Sequence, residues 1–294
     1  MSDSLKQGVQ VRIRAVVATG IVLALVAMVG LFVTFRHIAD GLRLPFAGRS
    51  CTVQADGQVE LDAGQMANAA TIAAIGAQRG MPERAVVVAL ATAYQESGLR
   101  NLAGGDRDSV GLFQQRPSQG WGSPAEIRDP RYATNTFYAA LAKVRDWEEM
   151  RVTDAAQTVQ RSAFPEAYQK WADESEVLSR ALLGQASGAV ACAVNDDPQH
   201  RGAAATAALA QGLALDWGLA PESAAAGPTR LTVTVDDEQG GWRYAHWLVS
   251  HAQDNGVQLV HFQGLRWTAE EGVWTPIAGK QSPTRVVAEV LGVS

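Results

Sequence analysis

The stretch AYQESGLRNLAGGDRDSVGLFQQ, residues 93–115, decides the fold that the sequence predicts. Glu96 follows an apolar segment that begins near Pro82 and has the composition of a helix. Gly98 fits the left-handed position that ends a helix, so we expect Glu96 in the last helical turn. The negative end of the helix dipole and apolar surroundings both disfavour a second negative charge, which predicts a raised pKa for Glu96. A glutamate that keeps its proton can act as a general acid; the alternative is an exposed glutamate near a helix end.

Two short motifs stand in this stretch: Glu96-Ser97 and, after a loop, Gly111-Leu112-Phe113-Gln114. They resemble the first two motifs of the lysozyme-like superfamily, and in pattern they are nearest to soluble lytic transglycosylases and goose-type lysozymes. The wider run QESGLRNL…GDRDSVGLFQQRPSQGWG…DPRYAT resembles a subgroup of membrane-anchored or secreted actinobacterial proteins. The resemblance covers roughly Leu61 to Leu183. It implies that Glu96 is the general acid/base that cleaves peptidoglycan, and that the Gly-Leu-x-Gln turn lines the sugar groove.

Residue chemistry and this resemblance together give a set of candidate substrate contacts. Amide side chains suit sugar hydroxyls and N-acetyl groups because each offers donors and an acceptor. Trp121 can stack on a sugar face or can be a buried tryptophan at a turn, and Tyr138 can equally belong to the core. The candidates are Ser97, Gly111, Leu112, Phe113, Gln114, Gln115, Trp121, Asn135, Tyr138 and Gln160.

Two of these candidates come from later family motifs. Asn135 lies in DPRYATNTFYAALAK, which resembles the family helix whose asparagine faces the groove. Gln160 lies in Val159-Gln160-Arg161-Ser162, which stands where transglycosylases carry a Tyr-Asn-Ala-Gly run. The tyrosine of that run is missing here, and Tyr168 is expected to lie too far along the chain to replace it.

A second acid/base residue is sought in the loop after Glu96. An inverting glycosidase needs a carboxylate about 6.5–9.5 Å from the acid to activate water. Some goose-type lysozymes are thought to use aspartates of this loop, so Asp106 or Asp108 is a candidate base. The alternative, which we favour, is that both aspartates hold a tight turn and pair with Arg107 or Arg100.

The N-terminal part of the chain predicts a membrane anchor. Residues 15–35, AVVATGIVLALVAMVGLFVTF, carry no charge and are long enough to cross a bilayer as a helix. Lys6, Arg12 and Arg14 precede this segment, which favours a cytoplasmic N-terminus with the bulk of the chain outside. A cleaved signal peptide is the alternative.

The two cysteines, Cys51 and Cys192, bracket the region of resemblance. Extracytoplasmic proteins can keep a disulfide, so we predict that these cysteines pair, with two unpaired thiols as the alternative. Closing such a long loop contributes about 3–5 kcal/mol in the chain-entropy model.

The predicted fold class is α+β, with an N-terminal transmembrane helix, an all-α lysozyme-like domain and a small C-terminal α+β domain. Residues 1–46 are expected to form a cytoplasmic tail, anchor and stalk, and residues 47–192 the helical domain. Pro45, Gly48 and Gly57 predict a stalk and entry loop over residues 44–57, and Asp62-x-x-Gln65 predicts the capped start of a helix that runs to Arg79. Residues 193–228 read as an Ala-, Gly- and Pro-rich linker with a possible helix. In residues 229–294 alternating strands surround one amphipathic helix, which predicts a helix on an antiparallel sheet and an interaction domain for a cell-envelope partner. The strands are expected at residues 231–235, 257–262, 265–268, 273–275 and 284–291.

Composition narrows the classes of function. The chain has 294 residues, 47% of them hydrophobic and 19% charged, which is enough apolar material for a real core. Its net charge of −5 argues against nucleic acid as a partner. No metal or cofactor is predicted, because the histidines lack metal-ligand spacing and no nucleotide-binding loop is present. The prediction is a lytic transglycosylase or muramidase-like glycosidase at the cell wall; the alternative is an inactive lysozyme-fold glycan-binding or scaffold protein.

Overall fold

A computed structural model describes residues 50–162, 164, 166–194, 197–278 and 282–293 of the chain. Residues 50–293 belong to one compact unit. The anchor predicted at residues 15–35 lies outside the described residues. Within the described part, every helix is too short or too polar to span a bilayer.

The described residues form nine α-helices. They are α1 (Ala63–Gln78), α2 (Glu83–Ser97), α3 (Pro124–Ile127), α4 (Pro130–Leu141), α5 (Val152–Gln160), α6 (Ala172–Leu182), α7 (Gly202–Trp217), α8 (Glu238–Ser250) and α9 (Ala252–Asn255). Short 3-10 helices lie at Pro117–Gln119, Trp147–Glu149, Gln169–Trp171 and Pro221–Ser223.

The strands form two antiparallel sheets. They are β1 (Ser50–Gln54), β2 (Gln58–Asp62), β3 (Val190–Cys192), β4 (Ala224–Ala226), β5 (Arg230–Thr234), β6 (Val257–Phe262), β7 (Leu265–Thr268), β8 (Trp274–Pro276) and β9 (Arg285–Val290). The first sheet has the order β2-β1-β3, and the second has the order β4-β5-β9-β6-β7-β8.

The first sheet corrects the predicted fold class, because the part of the chain expected to be all-α contains β1, β2 and β3. Pro45, Gly48 and Gly57 predicted a stalk and entry loop over residues 44–57. Alternate residues of β1 and β2 are nevertheless buried, which is the pattern of a half-buried hairpin with Asp56-Gly57 in its turn. The second part of the fold-class prediction, a transmembrane helix, has no counterpart among the described residues.

The disulfide joins the first sheet across β1 and β3. Cys51 lies directly opposite Cys192 in the register of these strands, and their sulfurs are bonded. The predicted pairing of the two cysteines is therefore confirmed, and it encloses the helices α1 to α6 in one loop of the chain.

Helix α2 is the centre of the first half of the structure. Ala85 to Tyr94 are all buried, and the helix packs against α1, α4, α5 and α6. Its partner α1 begins with the capping box predicted from Asp62 and Gln65, whose side chains and backbone N–H groups bond reciprocally. Local sequence thus places both helices as expected.

The segment predicted to be a linker forms α7 and the edge strand β4. Asp216 on α7 is fully buried and accepts hydrogen bonds from Arg131 on α4 and Trp247 on α8. Thr71 on α1 adds a third, longer hydrogen bond of 3.3 Å. One carboxylate therefore ties α7 to three other helices.

His246 on α8 is a second buried polar tie. Its Nδ1 donates to the Ala181 carbonyl at 2.8 Å, and its Nε2 accepts from the Ala189 N–H at 2.9 Å. Burial lowers the pKa of His246 to about 4, so the ring is neutral near neutral pH. This histidine joins α6 and the start of β3 to α8.

Candidate active site

Glu96 lies in the last turn of α2, as the sequence predicts. The helix begins after Pro82 and ends at Gly98, which has a left-handed φ of 62°. The N–H of Gly98 bonds to the Tyr94 carbonyl at 2.9 Å, which closes the last turn. The side chain of Glu96 is half-buried. The end of α2 thus presents a carboxyl group at the edge of the core.

Tyr168 is the closest partner of this carboxyl group. Its hydroxyl donates to Glu96 Oε1 at 2.6 Å, and its side chain is fully buried. Burial raises the pKa of Glu96 above its usual value, while the hydrogen bonds from Tyr168 and Gln160 act in the opposite direction. Burial and the neighbouring Glu96 also raise the pKa of Tyr168, so it remains a donor.

Tyr168 is the residue that sequence reasoning considered and set aside. Its position in the chain predicted that it lies too far along to replace the missing motif tyrosine, yet in the structure its hydroxyl contacts Glu96. Helix α5 ends at Gln160, and Tyr168, which follows it in the chain, hydrogen-bonds to Glu96 at the end of α2. The sequence does contain a tyrosine after Gln160 within the region of resemblance. Its spacing from Gln160 differs from that of the family motif, so the sequence alone did not identify it as a partner of Glu96.

Gln160, the last residue of α5, connects Glu96 to the Gly-Leu-Phe-Gln turn. Its Nε2 donates to the Phe113 carbonyl at 2.7 Å, and its side chain also hydrogen-bonds to Glu96. Since one amide nitrogen carries two protons, it can serve both acceptors. Gln160 thus lies between the carboxyl group and the Gly-Leu-Phe-Gln turn.

The Gly-Leu-Phe-Gln turn is fastened to the end of α2. Ser97 Oγ donates to the Leu112 carbonyl at 2.7 Å. Gly111 has a φ of 79°, and a Cβ there would lie 2.6 Å from the Ile127 carbonyl oxygen. The side chains of Leu112 and Phe113 are fully buried. These four predicted contacts therefore hold the turn in position, and Leu112 and Phe113 belong to the core rather than to a ligand-facing surface.

The two glutamines after this turn bond within the protein. Gln114 receives a hydrogen bond from Ser109 at 3.0 Å and donates to the Gly111 carbonyl at 3.1 Å. Gln115 is buried and donates to the Ala133 carbonyl at 3.2 Å. Both side chains support the turn and the start of α4.

The remaining candidate contacts are divided between core and surface. Tyr138 is fully buried and donates to the Ile72 carbonyl at 3.0 Å, which leaves a ligand no access to it. Asn135 accepts a hydrogen bond from Arg79 at 2.9 Å. Trp121 is partly buried and lines a groove, so of these three it is the one placed to meet a ligand.

Asp108 and Asp106 have different surroundings. Asp108 pairs with Arg116 at 2.8 Å and accepts from the Ser118 N–H at 2.8 Å. These bonds hold the pKa of Asp108 well below its usual range, which makes it a weak base. Asp106 is almost fully exposed and its only close cation is Arg107, 3.8 Å away, among the groups that the structure describes.

A groove of about 1080 Å³ runs beside this centre. Its walls come from residues 119–121, from α4 with the turn after it, and from the end of α5. Trp121 and Tyr132 are among its lining residues. Gln160 also lines the groove and hydrogen-bonds to Glu96, so it is the residue that links the groove to the carboxyl group.

In the described part of the chain, no cluster of three or more histidine, cysteine, aspartate or glutamate side chains is placed to hold a metal ion. The arrangement is a single protonatable carboxyl group with two neutral hydrogen-bond donors beside an open groove. It can supply a proton to a leaving oxygen and take one back.

No family model matches the chain, and no significant match is found among curated proteins. The resemblance to lysozyme-like proteins therefore rests on the motifs quoted above.

Proposed function

We propose that this protein is a peptidoglycan-cleaving glycosidase in which Glu96 protonates the oxygen between N-acetylmuramic acid and N-acetylglucosamine. The observation that carries the proposal is the Glu96 carboxyl group, whose pKa burial raises and which Tyr168 holds at 2.6 Å. A general acid must keep its proton near the working pH and must have a fixed direction. In this proposal a sugar chain approaches the carboxyl group through the groove that Gln160 lines.

The surroundings of Asp108, a candidate for the second acid/base residue, favour a reaction route that uses the carboxyl group of Glu96 alone. Asp108 is already bound by Arg116 and Ser118, which makes it unsuited to activating water. In the proposed reaction Glu96 gives its proton to the leaving 4-oxygen of N-acetylglucosamine as the bond to C1 breaks. The resulting carboxylate then accepts the proton of the 6-hydroxyl of the muramic acid as that oxygen bonds to C1. The product is a 1,6-anhydro end, and no water is consumed.

Tyr168 is proposed to serve both halves of this reaction. Its hydrogen bond fixes the direction of the carboxyl group, and it favours the ionised form that the second half requires. Tyr168 thus supplies the tyrosine function that the family motif at residues 159–162 lacks in this chain.

The Cys51–Cys192 disulfide supports a place of action outside the cytoplasm, where peptidoglycan lies. In a reducing cytoplasm these two cysteines would stay as free thiols, and the disulfide would not persist.

The test is release of muropeptides from cell-wall sacculi by the purified protein, analysed by mass spectrometry. Glu96→Gln should lower the rate by about 10²–10⁴-fold, the usual contribution of a general acid. Glu60→Gln is the matched control, since Glu60 is exposed on β2. Anhydro ends support the one-carboxyl route, and hydrated ends would show that water attacks instead. A wild-type protein that binds sacculi but releases nothing would contradict the enzyme and leave a glycan-binding scaffold.

A further inference from the structure

The groove beside Glu96 has an unusual distribution of charge. Lys143, Arg145 and Arg161 line it, and no aspartate or glutamate is among its described lining residues. The whole chain, by contrast, has a net charge of −5. A cation-lined groove on an acidic protein indicates that its ligand carries negative charge.

Two of these cations are available to a ligand. Arg145 lies 3.2 Å from Asp146, so part of its charge is already compensated. Lys143 and Arg161 are exposed, and neither pairs with a carboxylate in the part of the chain that the structure describes. Lys143 and Arg161 are therefore the two groove cations whose charge a ligand can meet uncompensated.

The backbone conformation of Arg161 is a second, independent indication of a ligand site. Arg161 caps the end of α5 with a φ of 54°, in the left-handed region that favours glycine or asparagine. Arginine is strained there, and residues held in strained conformations cluster at ligand sites. The position directly follows Gln160, which bonds to Glu96. A cation is thus present next to the catalytic centre although local folding favours another residue type.

The same groove also has the chemistry of a sugar site. Trp121 and Tyr132 line it, and aromatic faces stack on sugar rings. The groove therefore combines an aromatic wall for a sugar ring with cations for a carboxylate.

We propose that Lys143 and Arg161 bind a carboxylate carried by the glycan chain, so that the groove selects anionic over neutral chains. This inference rests on the proposed function, because the chain in the groove is the one that Glu96 cleaves. The carboxylate belongs either to the peptide stem or to the lactyl group of the muramic acid. Both present the same planar anion to a guanidinium and an ammonium group.

Binding measurements separate these two sources. In the Glu96→Gln background, which prevents cleavage, calorimetry compares three chains of equal length. They are a neutral N-acetylglucosamine chain, a stem-free strand with free lactyl carboxylates, and a strand with peptide stems. At least one carboxylated strand should bind more tightly than the neutral chain, and added salt should remove the difference. The strand preferred identifies the source.

Lys143→Gln and Arg161→Asn should each weaken binding of the preferred strand by about fivefold at low ionic strength. Neither change should affect the neutral chain. Asparagine tolerates the left-handed conformation, so Arg161→Asn keeps the end of α5 intact and separates lost charge from misfolding. Arg285→Gln removes an exposed cation from β9 as the matched control and should change nothing.

Equal affinity for neutral and carboxylated chains, with muropeptide release by the wild-type protein intact, would overturn this inference alone. Failure of every chain to bind, together with absence of release, would overturn both this inference and the proposed function.

Discussion

Glu96 and Asp216 are carboxyl groups withdrawn from water in two regions of the same compact unit, and their partners give them opposite roles. Asp216 is fully buried among helices and receives hydrogen bonds from Arg131, a cation, and from Trp247. Glu96 is only half-buried at a helix end, and its partners Tyr168 and Gln160 are neutral.

The difference teaches that the partners, rather than the depth of burial, decide what a buried carboxyl group can do. The guanidinium of Arg131 makes an ion pair with Asp216, which is suited to joining helices. Without such a cation, burial raises the pKa of Glu96 and leaves it a proton to give. The more deeply buried group is structural, and the less deeply buried one is suited to chemistry.

The largest expected effect is the loss of stability when Asp216, the structural carboxyl group, is removed. Asp216→Ala should lower the free energy of unfolding by about 3 kcal/mol, because Arg131 and Trp247 lose their acceptor inside the fold. Urea unfolding measures the change. Asp154→Ala, at an exposed ion pair with Arg151, is the control and should cost less than about 1 kcal/mol. Equal losses for both variants would show that Asp216 is no more important than a surface charge.

Tyr168→Phe tests the catalytic side. Loss of the hydrogen bond to the carboxyl group should lower the cleavage rate by about 10- to 100-fold. Since that bond lowers the pKa of Glu96, its removal should raise the pKa further. The limb of the pH–rate profile at which Glu96 loses its proton should therefore move to higher pH. Tyr244→Phe, at a tyrosine packed edge-on against Trp217, is the control; an unmoved limb in Tyr168→Phe would exclude the proposed role.

Glu96→Gln should make the protein more stable near neutral pH, in contrast to Asp216→Ala. The pKa of Glu96 is higher in the folded than in the unfolded chain, so the folded state loses stability as pH rises through the folded pKa. Glutamine does not ionise, so the variant does not lose this stability. A gain of about 1 kcal/mol in the free energy of unfolding is typical of replacing a strained active-site group. Thermal unfolding should show a gain that disappears below the pKa of a free glutamate. A gain independent of pH would show that the charge is not its cause.

The smallest effect is expected for Asp108→Asn. Because Arg116 and Ser118 already occupy the Asp108 carboxylate, the cleavage rate should change by less than about tenfold. A residue acting as the base would lose about 10²–10⁴-fold, so rate measurement on sacculi separates the two roles. A loss in that larger range would restore Asp108 as the second acid/base residue.

The second sheet shows how far periodicity alone predicts structure. The strands expected at residues 257–262 and 265–268 have those bounds in the fold. Strands β1 and β2 were missed although their residues alternate, since glycine and proline nearby indicated a loop. The sheet is completed by strand β3, which is distant in the chain and pairs with the edge of β1 that β2 leaves free.

The sequence by itself determined the local part of the candidate site. Pro82 and Gly98 set the ends of α2 through backbone conformations that these residue types favour, and Glu96 follows from those ends. Tertiary structure alone decided that Tyr168 meets Glu96 and that Arg131 meets Asp216. Both contacts join distant parts of the chain, and their energy depends on how helices pack rather than on any short run of residues. The local sequence thus determines where a carboxyl group lies. The packing of the helices determines which side chains contact it, and those contacts determine what it can do.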